Sequence, residues 1–267
     1  MNDAVPSTFT AAPIALAPTL GRALGGVWRL TYPDFFRMRR LLVVGGLSGL
    51  LFLLTSQNVG TGQTDDFFRW VTEFYLTFLL PTVALLSAAG AIRDDMASVS
   101  VDYTLTRPVR RPVFVVLRYL SHMACLQVTS LIPFGALYLA GAMERVEQLG
   151  AMLPHLLLAQ ALVVAGFAAV GFLFGSLTTR YFGLAITYGL IVEIGVGQIP
   201  TQISRLSMTH HILAMLSPLI PNARGDHAPE SIVVASGAIL LFVLVTLAGA
   251  VAVFSMREFT GSGTAEK

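Results

Sequence analysis

Charge and cysteine are what this chain has least of. Only 12% of its residues are Asp, Glu, Lys or Arg, about half the roughly 25% of an ordinary soluble domain. So little charge cannot coat a water-facing globular surface. A single cysteine, Cys125, falls in an apolar run, which excludes an internal disulfide and speaks against redox chemistry. Two motifs are also missing. No GxxxxGK[ST] loop is present to cradle phosphates, and the glycines of "GTGQT" and "GSGTAEK" lack its spacing. The HExxH pattern of a helical metalloprotease is absent too.

What fills the chain instead is hydrocarbon: 55% hydrophobic residues, with a mean hydropathy of +0.73. These values point to an all-α integral membrane protein. A membrane helix needs about 20 mainly apolar residues, and six runs of that kind occur. They are Met38 to Ser56, Phe67 to Ile92, Pro112 to Ala142, Met152 to Thr179, Tyr181 to Ile199 and Ser231 to Met256. Barrel strands would be segments of about 10 residues with alternating polarity, which these runs are not.

Basic residues are retained on the cytoplasmic side of a membrane. An N-terminus inside leaves Arg22, Arg29, Arg37, Arg39, Arg40, Arg93, Arg107, Arg110, Arg111, Arg118, Arg180, Arg257 and Lys267 cytoplasmic. Only Arg69, Arg145, Arg205 and Arg224 are then outside. Both termini are expected in the cytoplasm, and 200–230 forms the largest external loop.

Residues 1–18 lack the basic region and apolar core of a signal peptide and read as a mobile cytoplasmic tail. In 19–37, Leu20, Leu24, Val27, Trp28 and Phe35 recur at helical spacing, with Arg22 and Arg29 on another face. That pattern predicts an amphipathic helix lying along the membrane surface, broken at Pro33 and Asp34. The membrane domain then covers 38–256, and 257–267 is a cytoplasmic C-terminal tail. Gly45 with Gly49, and Gly171 with Gly175, are small-xxx-small pairs that permit close helix contact.

Between the second and third runs lies "RDDMASVSVDYTLTRPVRR", Arg93 to Arg111, the longest polar interruption within the membrane domain. Its acids, Asp94, Asp95 and Asp102, come before its bases Arg107, Arg110 and Arg111, as the dipole of a short helix favours. Pro112 then opens the next span, where proline is well tolerated. Composition alone reads the segment as an ordinary basic cytoplasmic loop; as a surface helix, it suits a groove on a partner.

The segment resembles the signature of bacterial ABC-2 type transporter permeases. The nearest branch looks like the permeases of nitrous-oxide reductase maturation and of gliding motility. In that family a carboxylate near the end of the second span precedes a Gly-Thr pair, a Leu-rich turn, Pro-Val-x-Arg and Gly-Lys. Asp95 stands at the carboxylate, Leu105 in the turn, and Pro108, Val109 and Arg111 in Pro-Val-x-Arg. Val99 and Ser100 replace Gly-Thr, and Leu117 and Arg118 replace Gly-Lys.

The resemblance implies a coupling helix that docks on a separate ATP-hydrolysing subunit. Its expected contacts are Arg93, Asp94, Asp95, Asp102, Tyr103, Thr104, Arg107, Pro108, Arg110 and Arg111. The amphipathic helix at 19–37 corresponds to the family's elbow helix. The expected assembly has two permease subunits, most simply a homodimer, in the bacterial inner membrane. This chain holds no cofactor, and ATP with its magnesium resides on the partner subunit. An exporter is the expected direction, with a secondary transporter as the rival class.

Other ionisable residues raise narrower questions. Glu193 lies in the fifth run, where a charge is costly, which marks it as a candidate for the substrate pathway or a group reaching a loop residue. Glu73 in the second run is a weaker case of the same kind. His210, His211, Asp226 and His227 cluster in the external loop, but without the spacing of a helical metal site. An intramembrane serine protease would need Ser176 beside His122 or His155, which the topology places near opposite membrane faces.

Overall fold

A computed structural model of the chain describes residues 19–97, 110–198, 202–219 and 229–256, and every regular element among them is helical. A hydrocarbon surround leaves backbone polar groups no partner but each other, which is why these apolar runs coil. Helix α1 spans Leu20–Phe35, and α2 spans Met38–Asn58. Next come α3, Thr64–Met96, α4, Arg111–Met143, and α5, Leu149–Leu177. Helix α6 begins at Tyr181–Tyr188, α7 is Met208–Leu216, and α8 is Ile232–Met256.

Five of these, α2, α3, α4, α5 and α8, are long and apolar enough to cross a membrane. Helix α5 is the hub, with 78% of its apolar window buried, whereas α2 and α8 bury 17% and 22% and turn broad apolar faces outward. Outward-facing Leu and Val are what a lipid surround requires.

The run expected as a fifth span, Tyr181 to Ile199, departs from a regular helix. After Tyr188 it widens to a π-helix over Gly189–Gly195 and tightens to a 3₁₀ turn over Val196–Gln198. Gly183, Gly189, Gly195 and Gly197 weaken regular helix there. Helix α7 then starts deep within the bundle. The Sδ of Met208, its first residue, lies against Gly166 in the middle of α5.

Two other boundaries moved. Helix α1 continues through Pro33 to Phe35, because a proline in a last turn removes only one bond and the helix stops soon after. Helix α3 runs past Ile92 to Met96, so Arg93, Asp94 and Asp95 extend the span itself and do not begin a separate helix. Upstream, α3 is π-helical over Trp70–Leu79, directly before Pro81. A widened turn there accommodates the proline ring and its missing amide donor.

The hairpins α2–α3 and α4–α5 are tied together at one end. Gly62 N–H donates to the Glu144 carbonyl at 2.8 Å, and the Thr61 hydroxyl to the Glu144 carboxylate at 3.1 Å. Gly62 has φ +77°, a conformation that suits glycine. Arg37, Arg39, Arg40, Arg110 and Arg111 stand at the other end, called the basic end below.

Gly171 and Gly175 of α5 press on the α3 backbone at Leu85, Ala88 and Ala89. Gly45 and Gly49 of α2 face nothing within 4 Å.

Candidate functional site

At the basic end, three helices converge on one side chain. Arg118, seven residues into the apolar part of α4, donates from Nε to Asp95 Oδ2 at 2.6 Å and from Nη2 to Oδ1 at 3.1 Å. Its Nη1 donates to the Thr31 hydroxyl of α1, which in turn donates to the Val27 carbonyl at 2.9 Å. The Arg118 and Asp95 side chains are 7% and 25% exposed. A fork of guanidinium donors on a carboxylate is the strongest geometry such a pair adopts. It clamps α1, the end of α3 and the start of α4 to one another. Phe35 supports the clamp from α1 by packing edge-on against His122 of α4, centroids 4.9 Å apart.

The sequence-predicted contacts therefore divide. Asp95 turns inward to Arg118 and Thr31, while Asp94 and Arg110 are exposed and Arg93 and Arg111 half-buried. Asp102, Tyr103, Thr104, Arg107 and Pro108 lie outside the described residues. Asp34, expected to break the amphipathic helix, lies in the last turn of α1 and pairs with Arg37 across the bend at 3.3 Å.

Above the clamp a cavity of about 630 Å³ opens between α1, α2, α3 and α4. Its rim carries Arg37, Arg39, Arg40, Arg118, Asp34, Asp94 and Asp95, and its walls are mostly aliphatic. Its inner end is polar. The Tyr75 hydroxyl lies 3.1 Å from both the Ser130 carbonyl and Gln160 Oε1, and Gln160 Nε2 donates to the Ser130 hydroxyl at 3.0 Å. Gln160 is wholly buried, so this network ties α3, α4 and α5 in the apolar interior.

His122 also lines the cavity. Its Nε2 is 3.3 Å from the Ser87 hydroxyl, and its Nδ1 has no partner among the described residues. A catalytic Ser–His pair needs a third group to orient the base, and none is supplied here. Ser176, the serine weighed from sequence, donates to the Phe172 carbonyl at 2.7 Å, within its own helix.

Glu193 is 6% exposed and engaged with its own chain. Its carboxylate accepts from the Tyr188 hydroxyl at 2.5 Å, the Ser207 hydroxyl at 2.7 Å and the Thr209 backbone N–H at 3.0 Å. An acid at the first turn of α7 satisfies an amide that otherwise has no acceptor. Of the two readings of Glu193, the group reaching a loop residue matches this geometry. Glu193→Gln turns one acceptor into a donor facing donors. Amide exchange at Thr209 and His210 is expected to speed up about tenfold, for a loss of about 1.4 kcal/mol; unchanged exchange would remove the capping role.

Glu73 is exposed, on the half of α3 away from the basic end. His211 holds Glu230 through Nδ1 and the Arg205 carbonyl through Nε2, each at 2.9 Å. It thereby pins the start of α8 to α7. Asp226 and His227 lie outside the described residues.

Sequence reasoning missed the Asp95–Arg118 pair and the Tyr75–Ser130–Gln160 network. The signal available was a polar or charged side chain inside an apolar run, which calls for a partner. No protein-family model matches the chain, and no curated protein matches it.

Proposed function

We propose that this chain is the membrane-spanning permease subunit of an ATP-driven transporter of the ABC-2 type, working as an exporter. In this reading α1 is the elbow helix, and the polar segment from Arg93 to Arg111 contains the coupling helix that docks on a separate ATPase subunit. The broken α6 with α7 completes a sixth crossing. Two copies pair in the bacterial inner membrane with their termini in the cytoplasm. ATP and its magnesium are bound by the partner subunit, and this chain contributes no cofactor site.

The observation that carries the reading is the Asp95–Arg118–Thr31 clamp. A partner that displaces the segment at 98–109 moves the end of α3 and the start of α4, and the clamp passes that motion to α1 and the cavity rim. Exposed Asp94 and Arg110 remain available to the partner, and Asp95 acts by holding the lever.

A secondary transporter is the second reading, favoured by one observation. Helix α7 presents its N-terminus deep in the bundle after a broken α6, an arrangement that ion-coupled transporters use around their sites. Purification through a C-terminal tag from the native host in mild detergent separates the two. The permease reading predicts a P-loop ATPase in roughly equal amount, lost when residues between Arg93 and Arg111 are altered. A chain that emerges alone and transports without ATP hydrolysis would favour the second reading and reject the first.

A further inference from the structure

We infer that the cavity between α1, α2, α3 and α4 is a binding site for a membrane amphiphile with one net negative charge on a phosphate-bearing head and a long acyl chain. This names the cargo class of the proposed transporter and rests on that reading for its role as cargo, though binding itself does not.

Charge at the rim selects the head. Arg37 is paired with Asp34 and Arg118 with Asp95. Among the described residues that leaves Arg39 and Arg40 against Asp94, a surplus of one positive charge at this part of the rim. Among the described residues neither Arg39 nor Arg40 forms an ion pair, and Arg40 sits 5.8 Å over the Phe35 ring. Two adjacent guanidinium groups at the level where helices leave the hydrocarbon meet a phosphate at its own depth in the bilayer.

The interior selects the tail. At about 630 Å³ the cavity falls within the ~300–1,000 Å³ of small-molecule sites. Its walls run along α4 from Arg118 to Pro133, about 22 Å at the helical rise, through Leu47, Leu86 and Leu126. Such a depth takes a long chain and exceeds what a headgroup alone would fill. Entry is lateral. Val43 and Val83 line the cavity, yet they are 66% and 39% exposed, so the space between α2 and α3 opens towards lipid.

The test is equilibrium binding of radiolabelled lysophosphatidylglycerol to the purified full-length chain in neutral detergent, without ATP or any partner. Saturable binding is expected, weakened tenfold or more by Arg39→Gln with Arg40→Gln. Val83→Trp or Val43→Trp, each of which fills the lateral opening, should do the same. Leu241→Trp, on the outward face of α8, should leave binding unchanged. Lysophosphatidylcholine and glycerol phosphate are expected to bind at least tenfold more weakly.

Equal binding of lysophosphatidylcholine would show that the head charge is not read, and equal binding of glycerol phosphate that the tail is not. Unchanged affinity in both tryptophan variants would put the ligand elsewhere; any of these overturns the proposal. Binding without a co-purifying ATPase would sink the transporter reading and leave the site standing, and an ATPase without binding would do the reverse.

Discussion

Arg118→Ala is expected to destabilise the folded chain by about 3 kcal/mol, the low end of the ~3–5 kcal/mol for breaking a buried ion pair. The low end applies because Asp95 keeps 25% of its side chain exposed. Removing the guanidinium takes two charged donors from the Asp95 carboxylate at the end of a membrane helix and leaves the Thr31 hydroxyl without its donor. Asp95→Ala should cost at least as much, because the charge it leaves unpaired, Arg118, is only 7% exposed and keeps just the Thr31 hydroxyl. Replacing both charges by apolar residues, Asp95→Leu with Arg118→Met, should recover most of the loss. Thermal unfolding in detergent reads all four proteins. If the single variants melt within the error of the parent, the clamp does not hold the basic end together.

A comparable loss is expected at Gly175. An added Cβ there would run into the Ala89 carbonyl oxygen, with the Ala89 Cα at 2.9 Å. At Gly171 it would meet the Leu85 carbonyl oxygen and the Ala88 Cβ at 2.8 Å. Most of these are backbone atoms of a packed helix and cannot swing aside. Gly175→Ala should therefore cost about 1–3 kcal/mol, as overpacking does, and Gly175→Leu should part α3 from α5. Gly45 and Gly49 provide the contrast. A Cβ added at either would meet no other helix among the described residues, so Gly49→Ala should be neutral or stabilise by up to ~1 kcal/mol through helix propensity. Equal melting temperatures for Gly175→Ala and Gly49→Ala would contradict the packing described.

Those two glycine pairs also mark where sequence stops being informative. Both have the same spacing, and both permit close approach. Only one is used, because α5 lies at the hub and α2 at the edge, and a helix's place in a bundle is not written in its own spacing. Five of the six expected spans were legible, since backbone confined to hydrocarbon has few alternatives to a helix. Their ends were less so. Arg93, Asp94 and Asp95 look like a stop, but a charged turn can extend a helix once one acid finds an arginine on the neighbouring span. The break after Tyr188 was foreshadowed by four glycines and a buried acid, yet apolar content outweighed them in a reading built on hydropathy. For the Asp95–Arg118 pair the sequence showed only that an arginine in an apolar run needs a partner; 23 residues separate the two and no periodicity says which acid answers it.

In the permease reading proposed above, a separate ATPase drives this chain through the segment between Arg93 and Arg111. The direct test places a photo-crosslinking amino acid at Tyr103, in the full-length protein in its native membrane, and identifies what it captures by mass spectrometry. The account predicts one dominant adduct with a P-loop ATPase, abolished by moving the crosslinker to Leu241 on the lipid-facing side of α8. Adducts with lipid alone, or with a protein that has no ATPase activity, would contradict it.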